Sequence, residues 1–139
     1  MPDKLIIDFI KHHHLLTLAS SKDNLPYCCN VFYVYDEKKN CLIFSSDTKT
    51  KHAQDFIANP KVAASIALET KEVAKIQGVQ LLGTILELKG AELQKAKKQY
   101  LKAFPYARLM KPQLWVMQLT FIKMTHNKLG FGKKLVWQQ

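Results

Sequence analysis

Residues 44–66 read FSSDTKTKHAQDFIANPKVAASI, and the fold is decided by how this stretch divides. A strand, Cys41 to Ser45, runs into it. Four hydroxyl residues follow, Ser45, Ser46, Thr48 and Thr50, and then a short helix in which Ala53, Phe56 and Ile57 share one face. Thr48 or Thr50 suits the N-cap, and Pro60 follows the helix at its end. Val62 to Leu68 is then an apolar run of the length of a buried strand. Lys49 and Lys51 bracket the start of the helix, with His52 next to them. A helix N-terminus offers unpaired backbone N–H groups and the positive end of a dipole, so hydroxyls and a lysine there suit a phosphate. Spacing alone is met more simply by a capped helix with solvated lysines and a surface histidine.

Working outward, the N-terminal side gives a helix over residues 3–13, with Pro2 in its first turn, Asp3 at its positive end, and Ile6, Phe9, Ile10 and His13 at helical spacing. Leu15 to Ala19 is a short strand and SKDNLP a turn. Tyr27 to Tyr35, YCCNVFYVY, is an aromatic and β-branched strand. After the turn DEKKN, Cys41 to Ser45 pairs back as a hairpin. On the C-terminal side, Val73 to Leu88 is too long for one flat strand, and Gly78 and Gly83 mark bends or bulges. Residues 91–104 form a helix with Leu93, Ala96, Tyr100 and Phe104 inward and lysines outward, ended by Pro105. Leu114 to Lys123 is a strand, and Leu135 to Trp137 is a short last one. The pattern is mainly β with helices (α+β): about seven strands and three helices, mostly joined by short turns, as an antiparallel barrel with helices at its ends.

The bulk properties bound the function. The chain has 139 residues, the size of one domain, and no repeat or linker divides it. No apolar run approaches the ~20 residues of a membrane span. Asp3, Lys4 and Asp8 break any signal-peptide core, so a cytoplasmic protein is expected. Cys28, Cys29 and Cys41 are an odd set with two adjacent members, read as reduced thiols, with Cys28 and Cys29 as core or barrel residues. The formal charge of +10 comes almost wholly from scattered lysines, with Arg108 the only arginine, which argues against nucleic acid. Were nucleic acid or an acidic partner bound, the footprint would be Lys95, Lys97, Lys98 and Lys102 on the helix 91–104. His12, His13 and His14 point in different directions and are not read as a metal site. No G-x-S-x-G, P-loop or G-x-G-x-x-G motif is present. The tail LGFGKKLVW, residues 129–137, carries two glycines around Phe131, which let a backbone approach a ligand or another chain.

The order of these elements, together with LLTLAS, FSSDTKTKHAQDFIANPKVAASI and IQGVQLLGTI, resembles the pyridoxamine 5'-phosphate oxidase-like family of FMN-binding split barrels. TKHAQ, GVQLLG, FPYAR and LGFGKKLVW mark a small bacterial branch of it. The resemblance covers nearly the whole chain. It implies a Greek-key split barrel, a homodimer with two FMN sites between the subunits, and a flavin-dependent reductase or oxidase. It implies a phosphate held by Lys51, with Ser45, Ser46, Thr50 and His52 about it. Asn30, Val31 and Phe32 would lie under the flavin, Trp115 near it, and Lys133 and Lys134 beside the ligand. Gln77 and Gln80 flank Gly78, the place where the oxidases have a flavin-contacting glutamine. GFGKK replaces the oxidases' C-terminal arginine and histidine pattern, so pyridoxamine phosphate is not the expected substrate.

Overall fold

A computed structural model describes residues 1–139. Helix α1 (Lys4–His12) begins where the Asp3 carboxylate accepts from the Leu5 N–H at 2.8 Å. Asp3 is thus the cap and Pro2 lies before it, outside the first turn. Strands β1 (Leu15–Lys22) and β2 (Leu25–Asp36) run further toward each other than the alternation of the sequence showed. The reason is Asp23 and Asn24, which both take left-handed φ values, 52° and 64°, and so close a two-residue hairpin turn. After β3 (Cys41–Ser45) come α2 (Lys51–Ala58) and β4 (Lys61–Ala67).

A 3₁₀ turn at Val73–Lys75 precedes β5 (Gln77–Glu87), so the long apolar run is a turn and a single strand. Only one of its two glycines marks an irregularity. Leu82 pairs with Phe121 but Gly83 with Leu119, leaving Thr120 as an extra residue in the facing strand. A Cβ on Gly83 would sit 2.9 Å from Met117 Cγ and closer still to the Gln118 carbonyl oxygen. Gly78 stays in the regular ladder opposite Ala67 and Thr125. Then follow α3 (Gly90–Ala103), β6 (Leu114–His126) and β7 (Lys134–Gln138).

The strand order is β3-β2-β1-β4-β5-β6-β7, and β3 also pairs with β6, which closes six antiparallel strands into a barrel. Placing β4 beside β1 after the β1-β2-β3 meander makes a Greek key. β7 is the seventh strand and lies along the C-terminal half of β6.

Alternation along the strands separates two cores. Leu42 and Phe44 of β3 and Trp115 and Met117 of β6 point into the barrel, where Ile6, Phe9 and Ile10 of α1 and Ala53 and Phe56 of α2 join them. Cys41 and Ile43, with Leu114 and Val116, point outward and are covered by Ala96 and Tyr100 of α3. Both faces of β3 and of the start of β6 are therefore buried, and their continuous apolar runs follow. The cysteines divide: Cys41 is buried, Cys29 half-buried, and Cys28 exposed, so Cys28 is not a core residue. Period 2 puts Cys28 on the outer face of β2, opposite Ala19.

Candidate functional site

The loop from β3 to α2 is built around Ser46 and Thr50. Thr50 is the N-cap: its Oγ1 accepts from the Ala53 N–H at 3.3 Å and donates to the Asp47 carbonyl at 2.8 Å. Ser46 is buried, with its Oγ 2.8 Å from His52 Nε2. The Trp115 indole N–H donates to the Ser46 carbonyl at 2.9 Å. Gln113, just ahead of β6, accepts from the Ser46 N–H at 3.0 Å and from the Thr48 N–H at 2.8 Å. The Trp115 ring lies edge-on to Phe56 at 4.9 Å, inside the barrel core. Burial pushes the His52 imidazole below its ordinary pKa, with the nearby Asp55 charge opposing that. Ser45, Ser46, Thr50, Lys51, His52 and Trp115, expected as one group from the resemblance, thus meet at one place.

Lys51 is not a free arm. Its Nζ lies 3.2 Å from both Asp55 carboxylate oxygens and 5.0 Å above the Tyr27 ring centre. Asp55 is almost wholly buried and also accepts from Ser20 Oγ at 3.0 Å. Burial alone would raise the Asp55 pKa, but hydrogen bonds from Lys51 and Ser20 and the ammonium charge outweigh it and hold the carboxyl below its usual value. The sequence reading missed Asp55, Ser20, Tyr27 and Gln113. Of these only Asp55 left a local signal, its i,i+4 spacing from Lys51 on a helix.

The three β2 residues separate by alternation. Val31 points into the core opposite Leu16, so only its backbone can meet a ligand. Asn30 points outward and its Oδ1 accepts from Thr17 Oγ1 at 2.9 Å. Phe32 is 51% exposed, with its ring 5.4 Å from Phe104 and 6.0 Å from His14. This outer face continues over β1, β4 and β5 through Thr17, Ala19, Ala63, Ser65 and Leu82, which with Cys28 line a shallow cavity of about 360 Å³ without a charged side chain. The largest cavity, about 810 Å³, lies elsewhere, between α3 and the β2–β3 turn, and none of the expected ligand residues lines it.

Gln77, Lys133 and Lys134 lie together at the far end of β6. Gln77 pairs with His126, Lys133 O accepts from the His126 N–H at 3.1 Å, and Lys134 Nζ donates to Thr125 Oγ1 at 2.9 Å. Leu114 pairs with Ser45 and Thr125 with Lys134, so the two groups sit at opposite ends of one strand. Eleven residues at about 3.3 Å each make roughly 36 Å of strand between them. One chain does not bring these lysines to Lys51. Lys95, Lys97, Lys98 and Lys102 are exposed on α3. The rings of His12 and His13 meet edge to face at 5.6 Å, and no group of three His, Cys, Asp or Glu side chains is placed to hold a metal ion.

A six-stranded Greek-key barrel with an added strand, plugged by apolar faces of two helices and covered by a third, is a split barrel. The chain belongs to the pyridoxamine 5'-phosphate oxidase family, whose model matches residues 3–128. A UPF0306 protein from Yersinia pseudotuberculosis is 38% identical over 138 residues, which cover 99% of this chain and 94% of that protein. Among solved structures, a heme binding protein from Mycobacterium smegmatis superposes with a TM-score of 0.76 at 18% identity, covering 90% of this chain and 52% of that one. An FAD-binding protein from Mesorhizobium loti gives 0.72 at 14% identity, covering 96% and 93%. At those identities the two structures establish the fold. No helix is long and apolar enough to cross a membrane.

Proposed function

We propose that this chain forms a homodimer that binds a flavin nucleotide, FMN first, and serves as a cytoplasmic reductase or oxidase of a small molecule. The observation that carries the reading is where an uncharged ligand-sized surface remains. The barrel interior is filled by a cluster of 22 buried residues, so no ligand enters it. The outer face of β3 and β6 is taken by α3. What is left is the outer face of β2, β1, β4 and β5, where Phe32, Leu15 and Leu82 are each about half exposed. In a chain of 23% charged residues, an apolar face of this kind reads as an interface. A second copy closing over it gives a dry cleft for a planar ring.

The phosphate end of the ligand belongs at the start of α2. The Lys51 and His52 N–H groups open that helix, and the first N–H groups of a helix have no intrahelical acceptor. Lys51 is held by Asp55 at a fixed point, so it can add a directed N–H···O contact rather than a mobile charge. Ser46 and Thr50 shape the loop with their own hydrogen bonds, and Ser45 stands at the strand end beside them. Asn30, the Val31 backbone and Phe32 supply the floor. When bound, a flavin supplies hydride and electron transfer, and the protein supplies orientation and exclusion of water. The M. loti relative of this fold is named for FAD binding, which supports the flavin class.

The test is an absorbance spectrum of the purified protein after addition of FMN and removal of the excess, run beside size-exclusion chromatography. Retained flavin bands on a dimer are expected. A protein that stays colourless at high FMN would sink the flavin reading and leave the fold untouched.

A further inference from the structure

Helix α3 covers the outer face of β3 and β6 without sealing against all of it. A cavity of about 810 Å³ is left between the helix, the strands and the β2–β3 turn. Its floor is Cys41 and Ile43 of β3 and Val116 of β6, and Ala96 of α3 forms a wall. Leu86, paired with Val116 across β5 and β6, continues the floor toward solvent. The volume falls in the range of roughly 300–1,000 Å³ that small-molecule sites occupy. Burial pushes the Cys41 thiol up to about 12, so the floor offers no nucleophile and the site can hold a ligand without reacting with it.

The rim is built. Two side-chain ties join the turn to α3: Lys39 pairs with Glu92, and Gln99 Nε2 donates to Asp36 Oδ2 at 3.3 Å. Gln118 Nε2 fixes the turn from below, donating to Lys39 O at 3.0 Å and to Asn40 O at 3.2 Å. Asp36, Glu37 and Glu92 line the cavity with Lys38, Lys39 and Lys95, so the formal charges balance. Their engagement does not. Glu92 is taken by Lys39, Glu37 by Lys11 at 2.9 Å, and Asp36 accepts from the Lys39 N–H at 3.2 Å as well as from Gln99. Lys38 and Lys95 are exposed and in no ion pair. Glu92 is the only acid of α3, and residues 93–139 contain no Asp or Glu at all. The uncommitted charge at the rim is therefore positive, above a floor of aliphatic side chains and a thiol.

We infer that the cavity under α3 binds an aliphatic carboxylate of medium-chain fatty-acid type, its chain on Ile43, Val116 and Leu86 and its head group at Lys38 and Lys95. An apolar chain gains by leaving water for this floor, and an anion completes the two free lysines. The site shares no residue with the flavin site proposed above and does not depend on it.

Isothermal titration calorimetry of the purified protein with hexanoate, octanoate and decanoate tests the inference. Affinity rises by about fourfold per methylene, as burial of a chain requires, and octylamine binds more weakly than octanoate. Lys38→Ala with Lys95→Ala weakens octanoate by about fivefold, as loss of two exposed charge contacts does, and leaves octanol unchanged. Lys97→Ala with Lys102→Ala removes the same charge from α3 outside the cavity and leaves octanoate unchanged. Leu86→Asp, at a side chain 44% exposed, abolishes binding. Absence of binding by all three carboxylates, or affinity that ignores chain length, overturns the inference. So does equal loss in the two lysine pairs, because the charge then acts from the whole surface. Octylamine as tight as octanoate overturns the carboxylate, and full octanoate affinity in Leu86→Asp overturns the placement.

Discussion

The two ends of strand β6 do opposite things with polar and aromatic side chains. At the Leu114 end the chemistry-bearing groups are largely occupied within the chain: Trp115 on Ser46, His52 on Ser46, Lys51 on Asp55, and Gln113 on both Ser46 and Thr48. At the His126 end the exposed Phe131 ring and three exposed lysines outside any ion pair stand around a turn held by backbone hydrogen bonds, with Lys134 donating to Thr125 Oγ1. At the first end a residue serves stability and binding together, and substitution there reads both. At the second end the fold does not lean on the presented Phe131 ring, and its substitution leaves stability unchanged.

The largest effect that tests this contrast is at Trp115. Its ring packs on Phe56 in the core, so Trp115→Ala should cost about 3–5 kcal/mol in urea unfolding, as for a buried large aromatic. Trp115→Phe keeps most of that packing and loses the bond to Ser46 O, at a cost of about 1–2 kcal/mol. A Trp115→Ala protein as stable as wild type would break the comparison at its stronger side.

Next is pH. The Asp55 carboxyl is held below its usual value and His52 below the usual imidazole value, so in both cases the unfolded chain binds protons more readily. Stability contributed by Asp55 is complete above the ordinary carboxylate range and is lost as pH falls through the depressed value. His52 adds a loss that begins in the ordinary imidazole range. Melting temperature should therefore fall in two stages on acidification. Asp55→Asn should remove the lower stage and His52→Gln the upper, and a single-stage profile in wild type would count against one of them.

The third effect is chemical. Burial raises the Cys41 thiol to about 12 and Cys29 to about 11, and Cys28 is exposed. One thiol per chain should react quickly with a thiol reagent in the native state, and Cys28→Ser should abolish that fast phase. On the outer face of β2, Cys28 also reports on the proposed dimer: its reaction should slow as protein concentration rises. A rate independent of concentration across the range in which size changes would move the interface off this face.

Most of the fold was legible in residues 15–66, because both strand alternation and helix signals are local there. β3 is read at its true bounds; of the two caps offered for the helix after it Thr50 is the one used, and Ile57, grouped with the buried Ala53 and Phe56, is exposed. The β1–β2 turn was drawn too wide because nothing in SKDNLP declares that Asp23 and Asn24 both go left-handed. Gly78 and Gly83 look alike in sequence, and only the position of Met117 and Gln118 across the ladder tells them apart. For the site, residue types at the α2 end were legible and their partners were not. Ser20 and Tyr27 come from the β1–β2 hairpin and Gln113 from just ahead of β6, and no spacing along the chain records that the fold carries them to α2. The pairing of Lys51 is different: its partner Asp55 stands four residues on in the same helix, so that contact is local and readable from spacing.

The smallest expected effects lie in the β6–β7 turn, and they separate scaffold from presented group within four residues. Phe131→Ser removes a ring that touches solvent, so unfolding free energy should change by less than about 0.5 kcal/mol, as for other exposed sites. Gly132→Ala meets no neighbour, yet it places a side chain at φ 71°, where left-handed backbone costs roughly 1–2 kcal/mol. The more conservative change should thus be the more damaging one. If Phe131→Ser proved the costlier, the ring would be packed in solution rather than presented, and the contrast between the two ends of β6 would close. If Gly132→Ala is costlier and Phe131→Ser leaves stability untouched, the turn is held by its backbone and the ring adds nothing to the fold.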